Sequence, residues 1–427
     1  MADLSTKIGP LEVKNPIVTG AGPLAGTVEH IKACADAGFG VVITKTTSTP
    51  WHLQRYPRPL YTLLDYKKNP QKPYEVPDNF TWIHREHNSV FSPYKFVKIV
   101  EQSAKYVKEK GARLVGSFSA RGPEWDEIAE LYAEAGCDAL ELNFCCPFPP
   151  EGLSQDPEYA KIGIYYTNNP LEGAMICERI KKKIGIPIFA KVSPDGSNFA
   201  ELAKAYERAG ADGVTMFANN KIMRVDIETG KPVNYGPAPG TGPWAKSLVL
   251  RWISEVAAKT NFGVMGGRGA AAWEDAIEFI MAGADGVQYC TPVMLRGLGY
   301  VNEILGGMAS FMDRKGYKTI SDFADKALNQ IYNNKDLVDK VKPLYAEVDL
   351  KKCVGCGRCK KVCWYDVIEM HRKAIFKNER CAGCSLCSQV CPANAITMHE
   401  RDNDVDHFKA LASAHPELLP DDEIFLK

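Results

Sequence analysis

Two runs of cysteine carry the plainest chemistry in this sequence. Cys353, Cys356, Cys359 and Cys363 follow the spacing C-x2-C-x2-C-x3-C, and Cys381, Cys384, Cys387 and Cys391 repeat it, with Pro392 next. Eight of the fourteen cysteines crowd into residues 353–391, which in a reducing compartment reads as metal binding rather than disulfides. Spacings this short let three thiolates of one loop reach three corners of an iron–sulfur cubane, while the fourth of each run ligates the other cluster. One [4Fe–4S] cluster is therefore assigned to Cys353, Cys356, Cys359 and Cys391, and a second to Cys381, Cys384, Cys387 and Cys363. Interleaved ligands tie two halves of a small domain together and keep the clusters close enough for electrons to hop. Zinc is the competing assignment, but zinc prefers its four ligands as two close pairs. A purely structural cluster pair is the other. Trp364 stands where this pattern usually has proline after the first run, and it removes no ligand.

A second set of reactive residues is dispersed and needs a fold to gather it. Residues 1–310 alternate short apolar runs with helical stretches. The runs are Pro16–Ala21, Val41–Thr46, Leu114–Ala120, Ala139–Cys145, Pro187–Ser193, Gly213–Asn219, Phe262–Gly267 and Gly286–Thr291. Each is bounded by Gly, Pro or polar residues, as buried parallel strands are. Between them lie helical patterns such as Asp126–Ala135, Leu171–Lys183 and Ala200–Ala209. Ala-Gly-x-Asp recurs at Ala135–Asp138, Ala209–Asp212 and Ala282–Asp285, and Ala37-Gly38 opens a fourth copy. Each copy reads as a helix stopped by glycine and followed by a strand. The expected fold is α/β: a (β/α)8 TIM barrel followed by a small bacterial-type 2[4Fe–4S] ferredoxin domain. A doubly wound sheet competes, and the count of eight units favours the barrel. The expected domains are a barrel over 1–312, a helical linker over 313–347, the ferredoxin-like domain over 348–400 and an acidic tail over 401–427. The connection 47–92 is too long for an ordinary loop. Its Pro, Tyr, Trp and His content predicts a wall or lid over the barrel mouth.

In such a barrel the catalytic groups stand at the C-terminal ends of the strands. Reading those ends gathers Ala21-Gly22, Lys45-Thr46, Asn143 with Cys145-Cys146, Lys191, Asn219-Asn220, Gly266-Gly267 and Cys290-Thr291. Two lysines, amides and thiols converge on one opening, and the Gly-Gly after the seventh strand lets backbone N–H groups approach a phosphate.

Composition narrows the partners. Lys+Arg and Asp+Glu both number 52, so bulk charge recruits neither nucleic acid nor an anionic membrane. Among the first thirty residues no basic segment precedes an apolar one, and no apolar run is long enough to span a bilayer. A cytoplasmic location is expected.

The segments Ile43–Thr46, Glu141–Pro147 and Phe189–Pro194, the late Gly-Gly and the fused two-cluster domain together resemble the dihydropyrimidine dehydrogenases. Within that group the resemblance is to the bacterial subunit carrying flavin mononucleotide (FMN) and two clusters; the wider group includes the dihydroorotate dehydrogenases. The resemblance covers nearly the whole chain and implies an FMN over the barrel mouth. Carried over, Thr19, Gly20, Ala21 and Gly22 line the flavin, and Lys45 and Lys191 face its ring and ribityl chain. Gly266, Gly267, Cys290 and Thr291 fall at its phosphate. Asn88, Asn143 and Asn219 hold the substrate's polar edge. Cys146 exchanges a proton with a substrate carbon while FMN exchanges a hydride through N5.

Departures from that family lie in the pocket loops, at Pro147–Gly152, Ala218–Asn220 and Gly236–Gly240. His52, Arg55, Arg58, His84, Arg85 and His87 on the long connection are read mostly as surface residues, with an arginine available to clamp a carboxylate. The implied activity is reduction, or formation, of an activated C=C bond in a small cyclic polar substrate. An electron-transfer subunit with the barrel as scaffold, or a dihydroorotate dehydrogenase proper, are the alternatives. Gly266-Gly267-Arg268-Gly269 lacks the spacing of a dinucleotide fingerprint. Electrons are therefore expected from a partner, either a diaphorase-like NAD(P)H/FAD subunit or a ferredoxin, and an oligomer is expected.

Overall fold

The computed structural model describes residues 2–49, 60–65, 75–86, 88–146, 161–196 and 198–401. Two compact units emerge, Met1–Gln330 and Ile331–Lys427. All eight apolar runs of the first unit become strands: β1 (Ile17–Thr19), β2 (Val41–Ile43), β3 (Arg113–Ser119), β4 (Ala139–Phe144), β5 (Ile188–Val192), β6 (Gly213–Met216), β7 (Gly263–Gly266) and β8 (Gly286–Tyr289). A helix follows each: α1 (Val28–Asp36), α2 (Pro93–Glu109), α3 (Glu124–Glu134), α4 (Pro170–Lys181), α5 (Phe199–Arg208), α6 (Lys246–Ala257), α7 (Trp273–Met281) and α8 (Tyr300–Lys315). Neighbouring strands pair parallel in chain order, and β8 returns to β1 through Val287↔Ile17 and Tyr289↔Thr19. The sheet therefore closes into a (β/α)8 barrel.

Successive strand residues alternate between the two faces of the barrel wall. Val18, Val41, Ile43, Val115, Ala139, Phe189 and Met265 point inward. Beneath them packs an antiparallel hairpin, Thr6–Ile8 with Leu11–Val13, whose Ile8, Leu11 and Val13 close the N-terminal end. The outward phase, including Leu140, Leu142 and Phe144 of β4, packs on the helices. Each such side chain contributes roughly 1.5–3 kcal/mol on burial. Around β4 this layer is aromatic: Trp125 lies 5.3 Å from Phe144, and Phe144 lies 5.6 Å from Tyr206, measured between ring centroids. That packing fixes the strand that ends in Asn143 and the two thiols.

The Ala-Gly-x-Asp repeat has a structural purpose. Gly136, Gly210 and Gly283 take φ of 96°, 86° and 104°, a region glycine enters without steric cost. The aspartate that follows accepts a backbone N–H from the start of the preceding strand: Asp138 from Leu114 at 2.8 Å, Asp212 from Ile188 at 2.9 Å and Asp285 from Val264 at 2.8 Å. Each aspartate's own N–H returns to the carbonyl of that same residue. The repeat therefore stitches adjacent strands at the N-terminal end of the barrel and leaves the other end open.

Above that open end stands a four-stranded antiparallel sheet. Tyr61–Asp65 and Phe80–His84 come from the long connection after β2, and Asn220–Ile222 and Ala238–Thr241 from the connection after β6. The Gly236–Gly240 stretch, read from sequence as loop, contributes its last three residues to this sheet.

The second unit holds two small antiparallel pairs, Leu344–Val348 with Ile396–Glu400 and Ile368–Met370 with Ala374–Phe376. A short helix follows the second cysteine of each run and carries the third, Arg358–Lys361 with Cys359 and Leu386–Gln389 with Cys387. Cys359 and Cys387 are buried with Ala346, Ile368, Ala374 and Ile396, while Trp364 is 89% exposed. Of the stretch 313–347, the turns Ile320–Asp322 and Leu328–Gln330 belong to the first unit. The helix Asn334–Lys340 belongs to the second. No helix among the described residues is long and apolar enough to cross a membrane. Residues 402–427, nearly all of the expected tail, lie outside the described residues, as do His52, Arg55, Arg58, His87 and Pro147–Gly152.

Candidate active site

The inward phase of β4 continues upward through Glu141, Asn143 and Cys145, and these three organise the barrel mouth. Glu141 is fully buried. Its Oε1 accepts from Lys191 Nζ at 3.2 Å and from Ser117 Oγ at 2.9 Å. Ser117 Oγ lies 2.8 Å from Thr46 Oγ1, which in turn accepts from Asn143 Nδ2 at 3.2 Å. Asn143 Oδ1 then receives the backbone N–H groups of Cys145 at 3.1 Å and Cys146 at 3.0 Å. A net of side chains from β2 to β5 thus fixes the turn that presents Cys146.

The two thiols are set apart. The Cys145 thiol is buried, 2.7 Å from Asn143 Oδ1 and 3.7 Å from Cys146 Sγ. Burial drives it well above its ordinary 9.0. Cys146 lies past the end of β4, where strand alternation no longer applies, and its half-buried side chain lines the mouth cavity. The Cys145 thiol donating toward it, then the Lys191 and Lys45 ammonium groups, hold the Cys146 thiol below 9.0 against the opposing effect of burial.

Both strand-end lysines are buried and paired. Burial alone would push Lys191 toward neutrality, but Glu141 and the neighbouring thiols outweigh it and raise its pKa. Lys45 makes a 2.6 Å ion pair with Glu86 of the long connection. Around them lies a cavity of about 410 Å³, in the size range of cofactor and small-molecule sites. Tyr61 and Trp82, stacked 5.1 Å apart, line it from the overlying sheet together with Phe80.

The amides predicted from sequence take different places. Asn88 is buried and lines the cavity. Asn219 lines it too, its amide 2.7 Å from His84 Nε2. Asn220 turns away and donates to Asp195 at 2.8 Å. His84 and Arg85, read mostly as surface residues, both line the cavity, and Arg85 also donates to the carbonyl of Asn234 at 2.7 Å.

On the β7, β8 and β1 side glycines line the cavity because the chain packs too tightly against them to leave room for a side chain. A Cβ on Gly20 would come 2.9 Å from the Cys290 Cβ, and one on Gly22 would come 2.6 Å from the Cys290 Sγ. Gly267, at φ +132, would meet the Gln288 backbone at 2.4 Å. Ala21, Cys290 and Thr291 also line this cradle, where burial lifts the Cys290 thiol to about 11. A flavin with its phosphate fits this stretch, where Gly20, Gly22 and Gly267 leave main chain at the cavity wall. Two of the expected flavin residues are not in the lining. Thr19 and Gly266 occupy the outward phase of their strands: Thr19 Oγ1 takes the N–H of Ile43 at 2.7 Å, and Gly266 abuts Ile253 and Phe279. Glu141, Glu86 and Arg268 were missed. Only Glu141 carried a signal, two residues before Asn143 on the same face.

In the second unit, Cys353, Cys356, Cys359 and Cys391 line one small cavity, the interleaved set expected for one cubane. Backbone N–H groups of Ala374 and Gly355 hold the Cys353 thiol below its usual range, and Ala395 N–H donates to Cys391 Sγ at 3.3 Å. Such donors suit a ligating thiolate.

Residues 96–312 match the dihydroorotate dehydrogenase family and residues 346–398 a 4Fe-4S dicluster domain. The NAD-dependent dihydropyrimidine dehydrogenase subunit PreA of Escherichia coli is 26% identical over 385 residues, 85% of each chain. The catalytic subunit of dihydroorotate dehydrogenase B (NAD(+)) of Thermoplasma acidophilum is 28% identical over 330 residues, 77% of this chain and 100% of its own. The chloroplastic dihydropyrimidine dehydrogenase (NADP(+)) of Arabidopsis thaliana is 26% identical over 358 residues, 80% of each chain.

Proposed function

The chain belongs to the dihydroorotate dehydrogenase family of oxidoreductases, and we propose that it carries FMN and two [4Fe–4S] clusters and reduces, or forms, an activated C=C bond in a small cyclic polar substrate. The observation that carries this reading is the grouping of Lys45, Lys191 and the lowered-pKa thiol of Cys146 around one cavity with a glycine floor. When bound, the flavin supplies hydride exchange with carbon and single-electron exchange with the clusters.

The chain's own residues do the rest. Gly20, Gly22 and Gly267 present main chain to the cofactor, and Lys191 and Lys45 place positive charge where reduction adds negative charge. Asn88 and Asn219 hold the substrate's polar edge under the Tyr61–Trp82 wall, which excludes water. Cys146 Sγ holds the proton that quenches the developing carbanion, and takes it back in the reverse direction. Asn143 keeps Cys146 in place. Cys353, Cys356, Cys359 and Cys391 hold one cluster, and Cys381, Cys384, Cys387 and Cys363 the other. Electrons enter from a partner protein, a diaphorase-like subunit or a ferredoxin; the sequence holds no dinucleotide fingerprint, and relatives are named as subunits.

The test begins with anaerobically purified protein, which should contain about eight irons and about one FMN per chain. NADH alone should leave the flavin oxidised, whereas dithionite should bleach it. Pyrimidines, orotate and other cyclic unsaturated compounds are then screened for reoxidation of the reduced flavin. Zinc in place of iron, or no flavin at all, refutes the proposal.

A further inference from the structure

We propose that Arg268 anchors the phosphate of the flavin, an assignment that rests on the FMN reading above. Arg268 is held between two positions that only glycine can occupy. A Cβ at Gly267 would overlap the Gln288 backbone, and one at Gly269, with φ +89, would come 2.4 Å from Lys246 N. The main chain that presents the arginine is therefore fixed.

The residue as a whole is only 7% exposed. One bond holds it, from Nη2 to the Gly240 carbonyl at 3.2 Å, and its Cζ stands 5.6 Å from the centroid of a Trp244 ring. Nε and Nη1 are buried and have no partner among the described residues. The acid acting on this charge is Asp195, which is already engaged by the Asn220 amide. Burial lowers the guanidinium to about 10, so it stays charged near neutral pH. A buried cation with unused donors is costly unless a ligand completes it.

Geometry favours a phosphate. A guanidinium makes charge-assisted bonds to phosphate oxygens, and here Nε and Nη1 are both open to an acceptor. Arg268 follows β7 and lines the cavity with Gly267, Gln288 and Thr291, the end where such barrels hold phosphates. The redox residues Lys45, Cys146 and Lys191 follow or stand on β2, β4 and β5 instead. The alternative source of an anion is a carboxylate or phosphate on the substrate, and the experiment separates the two.

Flavin-depleted full-length protein, with its clusters intact by iron content and absorbance, is titrated with FMN and with riboflavin. Wild type, Arg268→Gln and Arg268→Lys are compared. Arg268→Gln should weaken FMN by roughly 10- to 100-fold, the worth of one to two charge-assisted hydrogen bonds, and leave riboflavin within about twofold. Arg268→Lys should recover part of the FMN affinity. Between pH 5 and 7 the wild-type affinity for FMN should rise as the phosphate gains its second charge near pH ~6, and this rise should flatten in Arg268→Gln. Unchanged FMN affinity in Arg268→Gln overturns the anchor and leaves the substrate's anion as the arginine's partner. Equal loss of FMN and riboflavin also overturns it, by showing a structural role. Wild-type protein that binds neither flavin overturns the FMN reading itself, and the anchor with it.

Discussion

Replacing Cys146 with alanine isolates the one step that the proposed function assigns to a single atom. Hydride arriving at one end of a C=C bond leaves charge on the other carbon, and a positioned acid must quench it. Such an acid is worth roughly 10²–10⁴ in rate, so Cys146→Ala should lose that much steady-state turnover while keeping iron, flavin and reduction by dithionite. The structure adds a readout that needs no substrate. Cys146 lies below 9.0 and Cys145 well above it, and each unit between them is about tenfold in thiolate fraction. Iodoacetamide applied from pH 6 to 10, with peptide mapping, should therefore label Cys146 first. Cys145→Ala should retain most turnover and raise the labelling midpoint of Cys146, since the Cys145 thiol is the largest influence lowering it. Near-full turnover in Cys146→Ala, or earlier labelling of Cys145, refutes the assignment. In that event His84, which lines the same cavity, is the next proton donor to test.

Lys191→Met should strand the fully buried Glu141 without its cation and cost about 3–5 kcal/mol in urea unfolding. The double variant Lys191→Met/Glu141→Gln should recover much of that loss. At the other end of the barrel, Asp138 and Asp212 have Arg113 and Lys181 at 3.5 and 2.5 Å. Asp285 has no such cation among the described residues, and burial raises it to about 6. A raised carboxyl favours folding while protonated, so its contribution is full below pH ~4 and is lost as pH rises through about 6. Asp285→Asn should therefore gain stability relative to wild type across that window, by at most roughly 3 kcal/mol, and thermal melts from pH 4 to 8 would show whether the gap opens there.

Periodicity carried the fold because a closed parallel barrel demands continuous apolar strands of similar length, and the eight runs stand in the structure as β1 to β8. The same period of two explains why two residues that the resemblance placed at the flavin do not line the cavity. Thr19 and Gly266 lie next to lining residues in sequence, but they fall on the outward phase and face a neighbouring strand or the helices. Glu141 falls on the inward phase, two residues below Asn143, and was legible by that rule alone.

Charge compensation was not legible. Lys45 meets Glu86, which lies two residues beyond the strand Phe80–His84, a strand of the long connection not read from sequence. Nothing in the sequence marks Asn219, rather than Asn220, as the amide that lines the cavity. That choice is made by the overlying sheet, whose pairing of Asn220 with Gly240 and Gly240 with Ile83 joins segments some 140 residues apart. The mouth's charge is thus set in two layers. Strands of the barrel supply the lysines and the thiols, and the connections above supply Glu86, His84, the aromatic wall and the carbonyl that holds Arg268. The Gly236–Gly240 stretch and Asn219 belong to that upper layer, where the sequence departs from the pyrimidine enzymes. On the function proposed above, substrate choice belongs to the connections, and the proton and electron chemistry to the barrel strands beneath them.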